Sequence, residues 1–374
     1  MLYYEKDLVN AGKVGRRWFG EQFNVNSNQG FSFSIPNIDL SVPLEVKINL
    51  ASKSFGSSSF SITANNQNIG VVTFPALVPF SGVEGYENVL NTTFNANSPN
   101  VVFNLVYNNG GVPSSNGYLD FIRVKSTRNL VGFGKQYLFF NDEQSTNIGV
   151  GNYAISNASS LGQIWDVTDI YNVKKYVNPG SANYSFKVNL GLKNKYVALD
   201  IQDVYTPFKE AVSVVQNQNL KGTIFKNNQG NFQDIDYLII TPFSLYNQAE
   251  NLANFHRINS GLSVKVVLTE LIYQEFSSGK QDIAAIRNFI KYVYQNASTP
   301  AKKVKYVNLF GDASYDYKNR LLNNNNIVPI FHGFNPGASE INNITNFSLY
   351  SSFKTSNNFL GCNSNSPPCK SNSK

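Results

Sequence analysis

Two cysteines, two histidines and one methionine in 374 residues leave few soft metal ligands and few partners for a nucleophile–base pair. The two cysteines, Cys362 and Cys369, match no common zinc spacing and have no histidine or further cysteine beside them, so no zinc site is expected and they read as a loose disulfide or two free thiols. No apolar run is long enough to cross a bilayer as a helix. Neither a GxxxxGK[ST] loop nor a GxGxxG turn follows the first strand of the α/β region, which removes the usual phosphate cradles. Charged residues make up only 15% of the chain. The net charge of +7 is spread singly or in short groups such as Lys174-Lys175 and Lys302-Lys303, so no stripe that could track nucleic acid emerges.

What the chain has is apolar and aromatic content, 42% and 14%, enough for large cores in two or three domains. Phe31–Ile35, Leu44–Leu50, Phe60–Thr63 and Leu119–Val124 alternate apolar with polar residues between Pro, Gly and Asn turns, which predicts a β-sandwich or jelly-roll-like domain over 1–125. A second β-rich segment is expected over 126–203, then a linker at 204–230 whose Asn and Gln content is high. Trp18, Trp165 and the tyrosines could line a glycan- or polypeptide-gripping face, but at period two they read as core or cross-strand residues.

From 231 to 361 the pattern changes to an incomplete doubly wound α/β domain. Tyr237–Thr241 is a strand buried on both faces and ended by Pro242. Ser244 is placed to cap a helix whose stripe is Leu245, Ala249, Leu252, Ala253 and His256, stopping at Gly261. Leu262–Leu268 is the second strand; after a polar stretch to Gly279, Asp282 caps a helix with Ile283, Ile286, Ile290 and Val293 on one side. The third strand runs from Tyr306 to Phe310 into Gly311-Asp312, with Asp316 close behind. In an open parallel sheet ligands bind at the carboxyl ends of the strands, so Asp312 and Asp316 fall on the rim of the site. Three roles stand open for them: holding the turn, shaping a cleft, or binding a hard cation, for which two carboxylates are few.

The ordered set Asp236–Thr241, Asn251-Leu252-Ala253, Gly261–Val264, Gly279, Asp282–Arg287 and Gly311–Lys318 resembles the catalytic domain of the gingipain-type cysteine peptidases, and among them the PorU-type sortases of the type IX secretion system. Gly15–Glu21 and Ile164–Asp169 resemble the β-rich leader of that family. The resemblance implies a caspase-like fold in which a cysteine thiolate attacks a peptide carbonyl, a histidine handles the proton, and a sortase passes the acyl group to an amine on a surface anchor. It also implies partners, namely cargo with a C-terminal sorting signal and other secretion components, and a place at the outer membrane or cell surface. No cofactor is implied.

The resemblance further implies a histidine in a Gly-His-Gly type turn after a later strand and a cysteine after the next apolar strand. His256 shares the apolar stripe of a helix, and His332 stands in a Pro-containing loop. Cys362 and Cys369 lie in an Asn/Ser/Pro tail, 362–374, expected to be disordered and offering no cationic neighbour or helix end to activate a thiol. The expectation is therefore a family fragment without catalytic residues. The opening Met1–Asp7, charged at once, is not a signal peptide. Two alternatives remain: a non-enzymatic envelope adhesion module built on the β domains, and a phosphoryl-transfer or flavodoxin-like α/β protein.

Overall fold

The computed structural model describes residues 1–12, 17–81, 83–209, 211, 217–329 and 340–342. His332, Cys362, Cys369 and the expected tail lie outside them. The N-terminal sandwich is built from β1 (Leu2–Glu5), β2 (Gln22–Phe23), β3 (Asn28–Ser34), β4 (Leu44–Lys53), β5 (Ser58–Ala64), β6 (Gln67–Phe74), β7 (Val83–Phe94), β8 (Asn100–Asn108) and β9 (Asn116–Lys125). One sheet runs β1-β9-β4-β7 with β2 also on β9, and the other runs β3-β8-β5-β6. Alternation decides what faces inward: Val101, Phe103, Leu105 and Tyr107 of β8 are buried and the residues between them are more exposed. They meet Phe60, Ile48, Leu50 and Ile122 in a single core.

A second β unit follows. Strands β10 (Tyr137–Phe140), β11 (Val150–Ile155), β12 (Leu161–Asp166), β13 (Lys174–Val177), β14 (Tyr184–Asn189) and β15 (Lys195–Asp200) form a four-stranded sheet, β10-β15-β12-β13, and a β11-β14 ribbon. The space between is filled by rings: Tyr196 packs against Phe139, Tyr153 and Phe186 at centroid distances of 5.3–5.5 Å. Burial pushes the Tyr196 phenol well above its ordinary range.

The α/β unit has a parallel sheet of β16 (Tyr237–Thr241), β17 (Val264–Leu268) and β18 (Tyr306–Leu309), with the first strand in the middle. Around it lie α1 (Leu220–Thr223), α2 (Tyr246–Asn259), α3 (Thr269–Phe276) and α4 (Ile283–Gln295). Leu238 and Ile240 face α3 and α4, and Ile239 faces Ala249 and Ala253 of α2, so helices cover both faces as expected. A last strand, β19 (Glu340–Asn342), returns to the sandwich and pairs antiparallel with β7.

Several local expectations are corrected. Ser244 does not cap α2; it lies in a 3-10 turn, Phe243–Leu245, and α2 starts after it without a side-chain cap. The stretch read as polar before Gly279 contains α3, whose buried Thr269, Ile272 and Tyr273 make a stripe too short to show in the pattern. In the stretch expected to be a linker, Asn219 caps α1 by accepting from the Gly222 N–H at 2.8 Å. Leu220, Ile224 and Phe225 then enter the α/β core. Glu275 of α3 supports this turn by accepting the N–H groups of Leu220 and Lys221. Asp282 caps α4 as its sequence suggests, accepting from Ala284 at 2.8 Å.

Two outcomes follow from this packing. Phe289 of α4, fully buried and packed edge-on against Phe276 of α3, anchors the α/β core, so Phe289→Ala lowers stability by about 3–5 kcal/mol in a denaturant titration followed by circular dichroism. The Asp236 carboxyl is held below the ordinary carboxylate value, chiefly by Lys305 Nζ at 2.9 Å, with the Ser263 N–H adding and burial opposing. A depressed folded-state pKa gives stability that is present above the unfolded value near 4 and is lost as the pH falls through the lower, folded one. The stability gap between wild type and Asp236→Asn is therefore present at pH 7 and shrinks by pH 3.

Candidate functional site

Three parallel strands deliver Thr241, Leu268 and Phe310-Gly311-Asp312 to the same end of the sheet. The ends are tied to each other. The Phe310 N–H donates to the Ile240 carbonyl at 2.8 Å, and Thr241 Oγ1 donates to the Phe310 carbonyl at 3.1 Å. Glu270 joins them from the first turn of α3, accepting the Phe243 N–H at 3.2 Å with one oxygen and the Thr269 hydroxyl at 3.2 Å with the other. This exposed rim carboxylate was not found in the sequence because α3 was not; a Thr-Glu pair directly after the strand, placing an acid in a first helical turn, was the available signal.

From Gly311 the chain makes a long loop to Pro329 that begins and ends on the sheet. Its two stems meet at Asp312, whose carbonyl accepts the N–H groups of Ile327 and Val328, each at 2.9 Å, and Val328 is buried in the α/β core. Gly311 is required here: its φ is +153°, and a Cβ would lie 2.9 Å from Ile327 Cγ2. The Asp312 carboxylate itself is exposed at the strand end, so it is the backbone of this residue that holds the turn and its side chain that faces the rim.

Asp316 is different. It is fully buried, and its carboxylate accepts the Leu321 N–H at 2.6 Å while its carbonyl accepts Asn324 Nδ2 at 2.6 Å. Ser314 donates its N–H to Asn326 Oδ1 at 3.1 Å, so the loop tip is knitted by its own groups. The tip then leans on the sandwich: Tyr315 stacks on Trp18 at 6.1 Å, the Arg320 guanidinium lies 4.6 Å from the Trp18 ring centroid, and Arg320 is ion-paired to Asp7.

The remaining candidates are placed elsewhere. His256 packs edge-on against Tyr237 at 5.3 Å, and its Nδ1 is 3.2 Å from Ser260 Oγ. Tyr237 opens β16, so His256 sits at the amino end of the sheet, roughly 13 Å along the strand from the rim. Trp165 lies on the outer face of β12, with Nε1 donating to Gln163 at 2.7 Å, whereas Trp18 is buried. Among the described residues no group of three or more His, Cys, Asp or Glu could hold a metal ion, and no helix is long and apolar enough to cross a membrane. Along the outer edge of β17 lie two grooves sharing Tyr246 and Lys265, one of about 400 Å³ with Leu268 and Phe243, the other of about 700 Å³ with Glu250 and Arg257. This end of the sheet thus carries two exposed carboxylates, Asp312 and Glu270, on a hydrogen-bonded backbone.

Comparison with known proteins gives the relationship. Residues 231–367 match the model of peptidase family C25. Over 91% of its length the chain overlays latent dimeric PorU from Porphyromonas gingivalis with a TM-score of 0.71 at 22% identity, covering 33% of that chain. A family 36 carbohydrate-binding module in complex with calcium and xylotriose overlays 33% of this chain and all of its own, 100%, at 15% identity and a TM-score of 0.23. A family 35 module from an environmental isolate overlays 34% of this chain and 97% of its own, also at 15%, with a TM-score of 0.24; likenesses that slight carry no argument. No curated protein matches. The chain is therefore related to the gingipain-type peptidases, shares its fold with part of PorU, and spans about a third of the PorU chain.

Gly311→Ala tests the turn that carries the rim. It forces an L side chain into a glycine conformation against Ile327 and Val328, and lowers stability by about 1–3 kcal/mol with faster amide exchange at Ile327 and Val328.

Proposed function

We propose that these residues correspond to the β-rich leader and part of the peptidase domain of a gingipain-type sortase. In such an enzyme, the strand-end rim with Asp312 and Glu270 walls the crevice in which a C-terminal sorting signal is removed from secreted cargo and the cargo acyl group passed to a surface acceptor. The observation that carries this reading is the conjunction of the family C25 match over 231–367 with a three-stranded sheet whose carboxyl ends converge on Gly311-Asp312. The PorU-like fold over 91% of the chain supports the resemblance to the PorU-type sortases read in the sequence, and with it a place in type IX secretion at the cell surface.

We further propose that the 374 residues alone do not turn over peptide. Acyl transfer needs a thiolate and an imidazole within about 3 Å of one another at the rim. In support, His256 is occupied by Ser260 and Tyr237 at the opposite end of the sheet. The sequence around Cys362 and Cys369 offers nothing to lower a thiol pKa.

The purified chain, incubated with fluorogenic peptides and with an electrophilic thiol probe, is expected to release no fluorophore and to label both cysteines at the rate of a free thiol. Rapid labelling of one cysteine, with peptide cleavage abolished by its Ser variant, would overturn the proposal.

A further inference from the structure

We infer that Asp7 and Trp18 of the N-terminal sandwich are positioning residues for the rim loop 311–329: the sandwich, more than the α/β unit, sets where the loop tip stands. The first stem leaves the sheet at Phe310, whose N–H is bonded to the Ile240 carbonyl, the second is tied to the first through the Asp312 carbonyl, and buried Val328 seats it in the α/β core. Between them the side-chain hydrogen bonds of Ser314, Asp316, Asn324 and Asn326 stay inside the loop. Internal bonds fix the tip's shape without fixing its place. Its ties to a second element run to the sandwich: Tyr315 on Trp18, Arg320 over the same ring and paired to Asp7, and Lys318 Nζ 3.9 Å from Asp7.

The chemistry of this seam suits an adjustable contact. Arg320 uses both properties of a guanidinium, its planar face on the indole and its donors toward a carboxylate, while only 16% of its side chain remains exposed. Yet Trp18 Nε1, Arg320 Nη1, Asp316 Oδ1 and Asn326 Nδ2 are all buried at or beside the seam without a hydrogen-bond partner among the described residues. Such groups favour any arrangement that pairs them, so the seam is held by a few strong contacts and not by complete satisfaction. By linkage, a ligand that enters the crevice and shifts the loop changes the seam, and a change at the seam alters binding at the rim by the same factor. That last consequence rests on reading 311–329 as the crevice rim.

Trp18 reports on the seam directly. The chain has two tryptophans, and Trp165→Phe leaves Trp18 as the single emitter. In this background Arg320→Met and Asp7→Ala are expected to raise acrylamide quenching of Trp18 at least threefold and to speed deuterium uptake across 311–329 about tenfold, with 237–241 and 283–295 unchanged. Arg320→Lys, which keeps the charge and loses the planar stack, falls between. Unchanged quenching and exchange in a folded Asp7→Ala chain would show that the α/β unit places the loop by itself and would overturn the inference. These readouts need no substrate. A chain found catalytically active would sink the proposal that these residues alone do not turn over peptide and leave the seam standing, and an indifferent seam would do the reverse.

Discussion

Everything at the site depends on burying β16 from both sides at once. Leu238, Ile239 and Ile240 are fully enclosed, and consecutive residues of a strand point to opposite faces, so α2 must cover one side while α3 and α4 cover the other. With the central strand fixed in this way, its neighbours run parallel and their carboxyl ends come together. The rim is thus a product of core packing. Thr241, Glu270, Gly311 and Asp312 come from distant parts of the sequence and meet because the apolar faces behind them have nowhere else to go.

Legibility of this arrangement in the sequence followed the strength of each local signal. Tyr237–Thr241 and the Ile283–Val293 stripe read plainly because an unbroken apolar run and a helical repeat with an Asp cap have few other solutions. Four of the sandwich strands, β3, β4, β5 and β9, were equally plain from their alternation, which is the register the core uses; the others were not read. Helix α3 was missed because eight residues with Glu, Gln and Tyr among them give little periodic signal; burial of Thr269, Ile272 and Tyr273 against the sheet makes it a helix. Asn- and Gln-rich 217–230 looked like a linker for a related reason, since its three core residues are diluted by polar neighbours.

Asp312 and Asp316 illustrate what a motif leaves open. Four positions apart in one loop, they end in opposite surroundings: one exposed at the strand end, the other enclosed and bonded to the loop backbone. Spacing could place both near the rim, but which one faces it is set by how the tip folds back through Asn324 and Asn326. Nor could any local pattern pair residue 7 with residue 320. Contacts of such separation follow from how finished units lean on each other.

The pairing of β19 with β7 adds a matter of timing. Tyr86 and Gly85 receive their partners from residues 340 and 341. During synthesis the sandwich strands through β9 are available long before those residues exist. At about 5–20 residues per second, the interval between completing β7 and making β19 is on the order of ten to fifty seconds. For that interval the margin of β7 is an unpaired strand edge able to recruit a stray extended segment, and its later closure ties the first unit of the chain to the region beyond the rim loop. The maturing polypeptide therefore has a vulnerable window that ends only when its front is stitched to a segment made near the end of the described chain.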